Sequence, residues 1–170
     1  EEADAWRGEA WEMMKARQDL KFLICTKRIE RFESCKPYDW DEGYENVIIA
    51  VTCENQQKAD ERLPILIKIN AWRKYILASP LLEDIDFSVY LQSGEIDRIS
   101  VGGESYKGAR ECRFEWVKHI KQQCDECNVK FDYHQTGSNF VMNGRRYHIN
   151  HHDEYKQAKK AEKLLKSGCL

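Results

Sequence analysis

The sequence predicts an α/β fold: a partial (β/α) barrel, or half-barrel, of about five mostly parallel strands in sequential order. The first observation is a phrase of apolar, β-prone residues that ends in a polar cluster. It recurs at residues 22–28, 47–55, 75–80, 99–105 and 129–135. The second is that a helical stretch usually follows the phrase, and near-continuous apolar strands are typical of a parallel sheet buried on both faces. Five strands suit either an open α/β sheet or part of a (β/α) barrel. They cannot close an ordinary eight-stranded barrel, so strands are missing if the pattern is barrel-like.

The elements of the first half follow from periodicity and capping. Residues 3–17 predict an amphipathic helix, because their apolar residues recur on one face. A short helical piece is expected within 29–34, between the first two strands. Asn55 can cap a helix over 56–69, in which Pro64 predicts a kink or a break.

The second half ends in a different pattern. A longer helix is predicted over 112–127, ahead of the fifth strand. The Asn-Gly pair at 143–144 is the strongest short hairpin signal, and it predicts a β-hairpin over 139–150. A Lys-rich helical segment follows the hairpin. The chain therefore divides into a partial (β/α) barrel domain, 1–138, and a β-hairpin with a helical tail, 139–170.

Composition narrows the functional classes. The 27 basic and 29 acidic residues nearly cancel, so the chain has no overall attraction for nucleic acid or anionic membranes. Lys107, Arg110 and Arg113 form a local basic group, which is weak support for nucleic acid as a partner. Neither a membrane span nor a signal peptide is expected. Seven cysteines, an odd number, are typical of reduced thiols, so a cytoplasmic location is expected.

Several strand-end segments occur together in a characteristic order. They are residues 26–28, 54–55, 59–64, 80–86, 101–105, 124 and 135–137. In this combination the chain resembles the gene-product thirty-seven/sixty-eight family of phages and mobile elements, also called the three-Cys-motif family, over nearly all of residues 3–160. Three matched places differ from the family pattern: Ala78-Ser79 where it tends to have Cys-Glu, Tyr106 where it often has Gly, and His134 where it tends to have Lys.

The resemblance implies a distant relative of radical S-adenosylmethionine barrels. Family members carry a three-cysteine motif for an iron–sulfur cluster near their own N-terminus, and this chain is expected to begin after that motif, at Glu1. S-adenosylmethionine and the iron–sulfur cluster are therefore implied for the full-length family, and no cofactor is expected in this chain by itself. The expected partner is the missing N-terminal segment or a second copy of the chain.

The segment Gly102-Gly103-Glu104-Ser105 is the candidate cofactor-binding element. Paired glycines at a strand end let a ligand approach the backbone closely. In radical S-adenosylmethionine barrels a Gly-rich strand end contacts the cofactor, so the resemblance favours that role. A tight turn into the following helix would need the same residues without any ligand.

The polar ends of the other strands supply a candidate anion-binding site. Its residues are Thr26, Lys27, Arg28, Asn55 and Gln135. Glu54 and Glu104 add carboxylates and are the candidate catalytic bases of a hydrolase or transferase that works without a cluster. A solvated rim with incidental ion pairs would have the same composition. Ligands of parallel sheets bind at the carboxyl ends of the strands. We therefore expect five side chains to face one common end of the sheet: Arg28, Glu54, Ser79, Glu104 and Gln135.

Two further groups of residues have the side chains that metal or redox chemistry needs, but other roles explain both groups better. Cys124 and Cys127 form a C-x-x-C that has no second pair and ends a helix instead of beginning one, so a core role explains them better. His148, His151 and His152 could bind an adventitious metal ion, but a solvated tail has the same composition. No metal site is expected.

Two functional hypotheses remain. The first is the C-terminal part of a radical S-adenosylmethionine-like protein of unknown substrate, inactive in radical chemistry without cysteine ligands for a cluster. The alternative is a non-catalytic interaction module that pairs through an exposed sheet edge. In a truncated barrel the first strand, 22–26, should lack a strand on its outer side. A second copy, the 139–150 hairpin or the N-terminal helix could shield that edge, and the helix or a second copy is favoured.

Overall fold

The computed structural model describes residues 2–166. Its larger sheet has five parallel strands in the order β1-β2-β3-β4-β6. These strands are β1 (Phe22–Thr26), β2 (Val47–Thr52), β3 (Arg73–Ala78), β4 (Arg98–Gly102) and β6 (Lys130–Gln135). The predicted α/β class, with five parallel strands in sequential order, is confirmed, and the sheet does not close into a barrel.

A second, smaller sheet and six α-helices complete the described chain. The small sheet contains β5 (Cys112–Arg113), β7 (Asn139–Met142) and β8 (Arg145–His148). The helices are α1 (Glu2–Ala16), α2 (Phe32–Cys35), α3 (Gln56–Leu66), α4 (Ser88–Leu91), α5 (Phe114–Glu126) and α6 (Glu154–Lys166). Short 3-10 segments at Ile29–Arg31 and His151–Asp153 precede α2 and α6.

One face of the larger sheet carries the hydrophobic core. Ile49, Ile76 and Val101 point to this side and are fully buried. They share one core with Leu63 of α3 and Val117 of α5. Right-handed crossovers between sequentially ordered parallel strands place the connecting helices on the same side of a sheet.

The opposite face, called the open face below, is only partly covered. Leu23 is 51% exposed and Cys25 is exposed, while Tyr75 and Leu77 remain partly accessible. The expected burial on both faces is therefore wrong for β1 and β3, although it holds for most of β2. A short apolar strand looks the same in sequence whether one face or both are covered, because coverage depends on where the helices fall.

The outer edge of β1 has no strand beside it within residues 2–166, because β1 is first in the sheet order and pairs only with β2. The expected lack of an outer strand is confirmed for these residues, and what shields the edge stays a prediction. Helix α1 lies on the core side of β1, where Trp11 and Met14 share a cavity wall with Ile24. The described chain therefore shields one face of β1 and leaves its edge without a strand neighbour.

Local signals placed most element boundaries closely. The helix predicted over 112–127 begins only at Phe114, because Cys112–Arg113 forms β5, and the helix predicted over 56–69 ends at Leu66. Of the kink or break predicted at Pro64, the break is wrong, because α3 runs through Pro64 and ends at Leu66, and the kink stays a prediction. Proline removes one backbone donor from a helix, and α3 ends two residues beyond Pro64.

The predicted hairpin is confirmed, with Asn143 at φ 51° and Gly144 at φ 74° in its turn. Phe140 on β7 packs against Phe114 on α5, with ring centroids 5.9 Å apart, so the hairpin is anchored to the core. The division of the chain at residue 138 stays a prediction. Across residues 2–166, no helix combines the length and the apolar character needed to cross a membrane.

Candidate functional site

An open cleft of about 400 Å³ lies at the carboxyl ends of β1, β3, β4 and β6. Its lining residues are Lys27, Ser79, Pro80, Gly103, Glu104, Ser105, Tyr106, Arg110 and Gln135. Five of the predicted site residues therefore meet in one place: Lys27, Gly103, Glu104, Ser105 and Gln135. The polar strand ends converge because all of these strands run in the same direction.

Thr26 and Arg28 do not join this cleft. They line a separate cavity of about 360 Å³ between α1, α2 and β1, on the core side of the sheet. Side chains alternate between the two faces of a strand and of its extended continuation, so Lys27 points away from its two neighbours. The Arg28 guanidinium lies 3.6 Å from the Glu30 carboxylate. Of the side chains predicted to face one end of the sheet, Ser79, Glu104 and Gln135 line the same cleft. Arg28 lines the other cavity.

The Glu54 carboxylate lies beside the cleft and interacts with two cationic side chains. Its carboxylate accepts from Arg62 at 2.7 Å and lies 3.4 Å from the Lys27 ammonium. Burial pushes the pKa of Glu54 upward, but its backbone hydrogen bond and Arg62 outweigh that effect and leave the pKa below its usual value. An ionised carboxylate bound to a buried guanidinium is a weak proton acceptor, so this geometry suits Glu54 to charge pairing.

Asn55 serves as a helix cap. Its side-chain oxygen accepts the backbone N–H of Lys58 at 2.9 Å, which satisfies one of the free donors at the start of α3. Glu83 accepts the N–H of Gln56 at 2.7 Å, so a second donor there is also occupied. The predicted anion-binding role of Asn55 therefore has little support in this geometry.

The paired glycines are required by the protein's own packing. A Cβ on Gly103 would meet the Thr136 carbonyl oxygen and the Gly137 Cα inside 3.0 Å, and one on Gly102 would lie 2.5 Å from His134 Nε2. Gln135 Nε2 also donates to the Gly103 carbonyl at 2.6 Å. The space at Gly103 that was expected to receive a ligand is therefore filled by residues 135–137.

Glu104 fixes one wall of the cleft through its bonds to Arg110. Its side chain is 5% exposed and accepts the backbone N–H of Arg110 at 2.7 Å, and its other oxygen pairs with the Arg110 guanidinium. The Arg110 guanidinium lowers the pKa of Glu104 to about 2, against the opposing effect of burial. Glu104 is therefore ionised at neutral pH and fully engaged, which suits it to structural support more than to proton transfer.

We expect Glu104→Gln to destabilise the fold by about 2 kcal/mol at neutral pH. The folded pKa of Glu104 is about 2 and its ordinary value is 4.5, so its contribution is complete above pH 4.5 and is lost as the pH falls toward 2. Solvent screens part of the interaction, since the Arg110 side chain is 61% exposed. Urea unfolding of both proteins at several pH values measures the difference, and a gap that persists at the acidic end would contradict the assignment.

A second polar group lies on the open face next to the cleft. His134 of β6 contacts Ser79, at 3.4 Å from Nε2, and Ser100 of β4, at 3.1 Å from Nδ1. Ser100 Oγ lies 3.1 Å from Asp132 Oδ2. Sequence reasoning noted His134 only as a departure from a family pattern, and Ser79 as a departure and as a strand-end residue; the structure shows that their side chains touch. It missed Ser100 and Asp132, although strand alternation could have placed Asp132 and His134 on one face.

The cysteines within residues 2–166 do not form a cluster site. Among residues 2–166, no three His, Cys, Asp or Glu side chains are grouped so that they could hold a metal ion. Cys124 is buried in the last turn of α5, and burial raises the pKa of its thiol to about 12, as a core role implies. Burial likewise raises the pKa of Cys53 and of Cys112 to about 12. Cys169 lies outside the described residues.

Fold and cleft together define a class: an open α/β half-barrel with a charged cleft at the carboxyl ends of its strands. The chain belongs to the family described as protein of unknown function (DUF5131), which matches residues 2–166. No curated protein and no solved structure matches it.

Proposed function

We propose that this chain is the C-terminal part of a radical S-adenosylmethionine-like (β/α) barrel of the phage gene-product thirty-seven/sixty-eight kind, and that its strand-end cleft binds an anionic group of a small ligand. The carrying observation is the sheet itself, in which five parallel strands follow one another in sequence with their crossover helices α3 and α5 on one face. In a (β/α) barrel that arrangement surrounds an interior, and the open face corresponds to it.

The charges of the cleft support an anionic ligand. Lys27 is one of the two cations that line the cleft, and its side chain is 57% exposed. The second cation of the cleft wall, Arg110, is held by Glu104. Lys27 lies 3.4 Å from Glu54, which positions its ammonium without burying it. A ligand carboxylate or phosphate would therefore meet Lys27 first.

The cluster implied by the resemblance does not fit the residues that are described. A [4Fe–4S] cluster needs several cysteine thiolates close together, and the cysteines within residues 2–166 offer no such group. The proposed function therefore assigns this chain ligand binding and no step of radical chemistry.

Titration calorimetry with S-adenosylmethionine tests the proposal, because that molecule carries a carboxylate. We expect measurable binding that Lys27→Gln weakens about tenfold, or about 1.4 kcal/mol, with loss at high salt. Lys68→Gln, which removes an exposed cation outside the cleft, is the matched control and should bind as the unaltered protein does. Binding that is absent, or that is equal in the Lys27 variant, would count against the proposed ligand site.

Anaerobic reconstitution with iron and sulfide addresses the cluster separately. We expect the chain by itself to develop no broad visible absorbance of an iron–sulfur cluster. A stable cluster would contradict the assignment of this chain to ligand binding alone.

The unpaired edge of β1 favours a second candidate, an interaction module that pairs with another chain. Exposed strand edges recruit partners by completing the backbone hydrogen bonds. The mass in solution distinguishes the candidates: a concentration-independent dimer favours edge pairing, and a monomer that binds S-adenosylmethionine favours the cleft.

A further inference from the structure

Five side chains on the open face form a continuous row from the cleft to α6. Ser79 Oγ lies 3.4 Å from His134 Nε2, and Ser100 Oγ lies 3.1 Å from His134 Nδ1. Ser100 in turn donates to Asp132 at 3.1 Å, and Lys159 of α6 donates to the other Asp132 oxygen at 2.7 Å. The row joins the residue after β3 to the strands β4 and β6 and to α6, so several elements of the fold fix its geometry.

The direction of the protons in this row follows from the donor capacity of each group. An ionised Asp132 can only accept, so the single hydroxyl proton of Ser100 points to Asp132. The Ser100 oxygen must then accept from His134, which places the histidine proton on Nδ1. A neutral His134 consequently presents a lone pair on Nε2 to the hydroxyl of Ser79.

The ionisation of the two titrating members agrees with this direction. Burial lowers the pKa of His134, which keeps its ring neutral at neutral pH. Burial pushes the pKa of Asp132 upward, but the Lys159 ammonium outweighs it and keeps the pKa below its usual value. The charged groups that face the ring are therefore Asp132 from β6 and Lys159 from α6; the serines do not titrate.

Packing preserves the contact between the serine and the histidine. A Cβ at position 102 would lie 2.5 Å from His134 Nε2 and 2.8 Å from Ser79 Oγ, so Gly102 leaves the room in which the two side chains meet. Ser79 also lines the cleft that Lys27 lines. The Ser79 hydroxyl, which contacts His134, therefore lies in the same cleft as the Lys27 ammonium.

We propose that Ser79 is a nucleophile and His134 its general base, and that the cleft accepts small carboxylic esters. Ser79 Oγ would bond to the ester carbonyl carbon while its proton passes to His134 Nε2. The carbonyl electron pair would move onto oxygen, with Lys27 in the same cleft to stabilise the negative charge. When the tetrahedral intermediate collapses, the C–O bond to the alcohol breaks and the alcohol takes the proton from Nε2.

Water completes the cycle. It attacks the acyl-Ser79 carbonyl and gives a proton to Nε2, the carboxylic acid leaves, and the proton returns to Ser79 Oγ. Ser100 and Asp132 act as positioning residues, because they hold the tautomer and orientation of His134 without touching the substrate. The inference goes beyond the proposed ligand function, since it needs neither a cluster nor S-adenosylmethionine.

A fluorophosphonate probe tests the nucleophile in the full chain. Its phosphorus would bond to Ser79 Oγ with loss of fluoride, and peptide mapping by mass spectrometry would locate the adduct. We expect Ser79→Ala to abolish labelling and His134→Gln to slow it by about 10²-fold or more. Ser34→Ala, at an exposed serine of α2 outside the cleft, should label as the unaltered protein does.

The dependence of the labelling rate on pH supplies a readout that needs no variant. The rate should rise with pH and level off with a midpoint below 6.5, the ordinary pKa of histidine.

The variant Ser100→Ala tests the positioning role. It should slow labelling and shift that midpoint, which the loss of a purely structural serine would not do. If His134→Gln fails to fold, the profile of the unaltered protein decides by itself.

Three outcomes would overturn the proposal. The first is that the probe does not label the protein. The second is that a folded His134→Gln protein is labelled as fast as the unaltered protein. The third is an adduct on Ser105, whose hydroxyl lies 2.6 Å from His151 Nδ1 and offers a rival pair. None of these results bears on the binding of S-adenosylmethionine, so the two proposals can fail separately.

Discussion

Replacing Gly103 by alanine should destabilise the protein by about 3 kcal/mol, because the new methyl group has no room. It would meet the Thr136 carbonyl oxygen, the Cys112 Cβ and the Gly137 Cα, all inside 3.0 Å. Two of these three are backbone atoms, which cannot rotate away as a side chain can. The end of β4 would have to separate from residues 135–138, and the cleft would lose its shape.

Urea unfolding measures this effect, and Gly8→Ala is the matched control. Gly8 lies in α1 with no heavy atom within 4 Å of a built Cβ. Alanine there should stabilise the helix by about 0.5 to 1 kcal/mol. A Gly103→Ala protein as stable as the parent would show that residues 135–138 can move aside, and would restore this position as a place for ligand approach.

Replacing Trp40 by alanine should cost about 3 to 5 kcal/mol, the largest stability effect that we expect. Trp40 is 2% exposed and lies at the centre of an aromatic cluster, 5.2 Å from Trp11, 5.3 Å from Phe32 and 5.2 Å from Tyr44, measured between ring centroids. Its indole N–H donates to the Asn70 carbonyl at 2.7 Å. Truncation would leave a cavity and an unbonded carbonyl, and would loosen α1 from the rest of the core.

Chemical denaturation gives the magnitude, and near-ultraviolet circular dichroism reports the loss of the aromatic packing. Trp6→Ala is the control, since Trp6 is 66% exposed and a surface substitution should change stability by less than about 0.5 kcal/mol. A loss below about 1 kcal/mol for Trp40→Ala would mean that the cluster does not hold α1 in place.

Much of the fold could be predicted because its signals are local. The five apolar phrases predicted the five parallel strands, and the Asn-Gly pair predicted the hairpin turn through residues that accept a positive φ. The error at Pro64 has a local cause too: a helix rule was applied without knowing that the helix ends at Leu66.

The candidate site was predicted in part. Lys27, Glu104 and Gln135 meet in the cleft because strand direction alone brings strand ends together. Sequence could not tell that Asn55 would be used as a cap, or that Gly103 would be packed against residues 135–137. Both depend on which segments lie against the strand ends after folding.

The sequence by itself determined the α/β class, the strand order and the end of the sheet where polar groups gather, because these follow from periodicity and from the direction of parallel strands. Only the tertiary structure decided that one sheet face stays open and that Glu54 and Glu104 are tied to Arg62 and Arg110. It also decided that Ser79 meets His134, from positions 55 residues apart. Burial, charge pairing and proton direction arise between segments distant in the chain, so no local pattern records them.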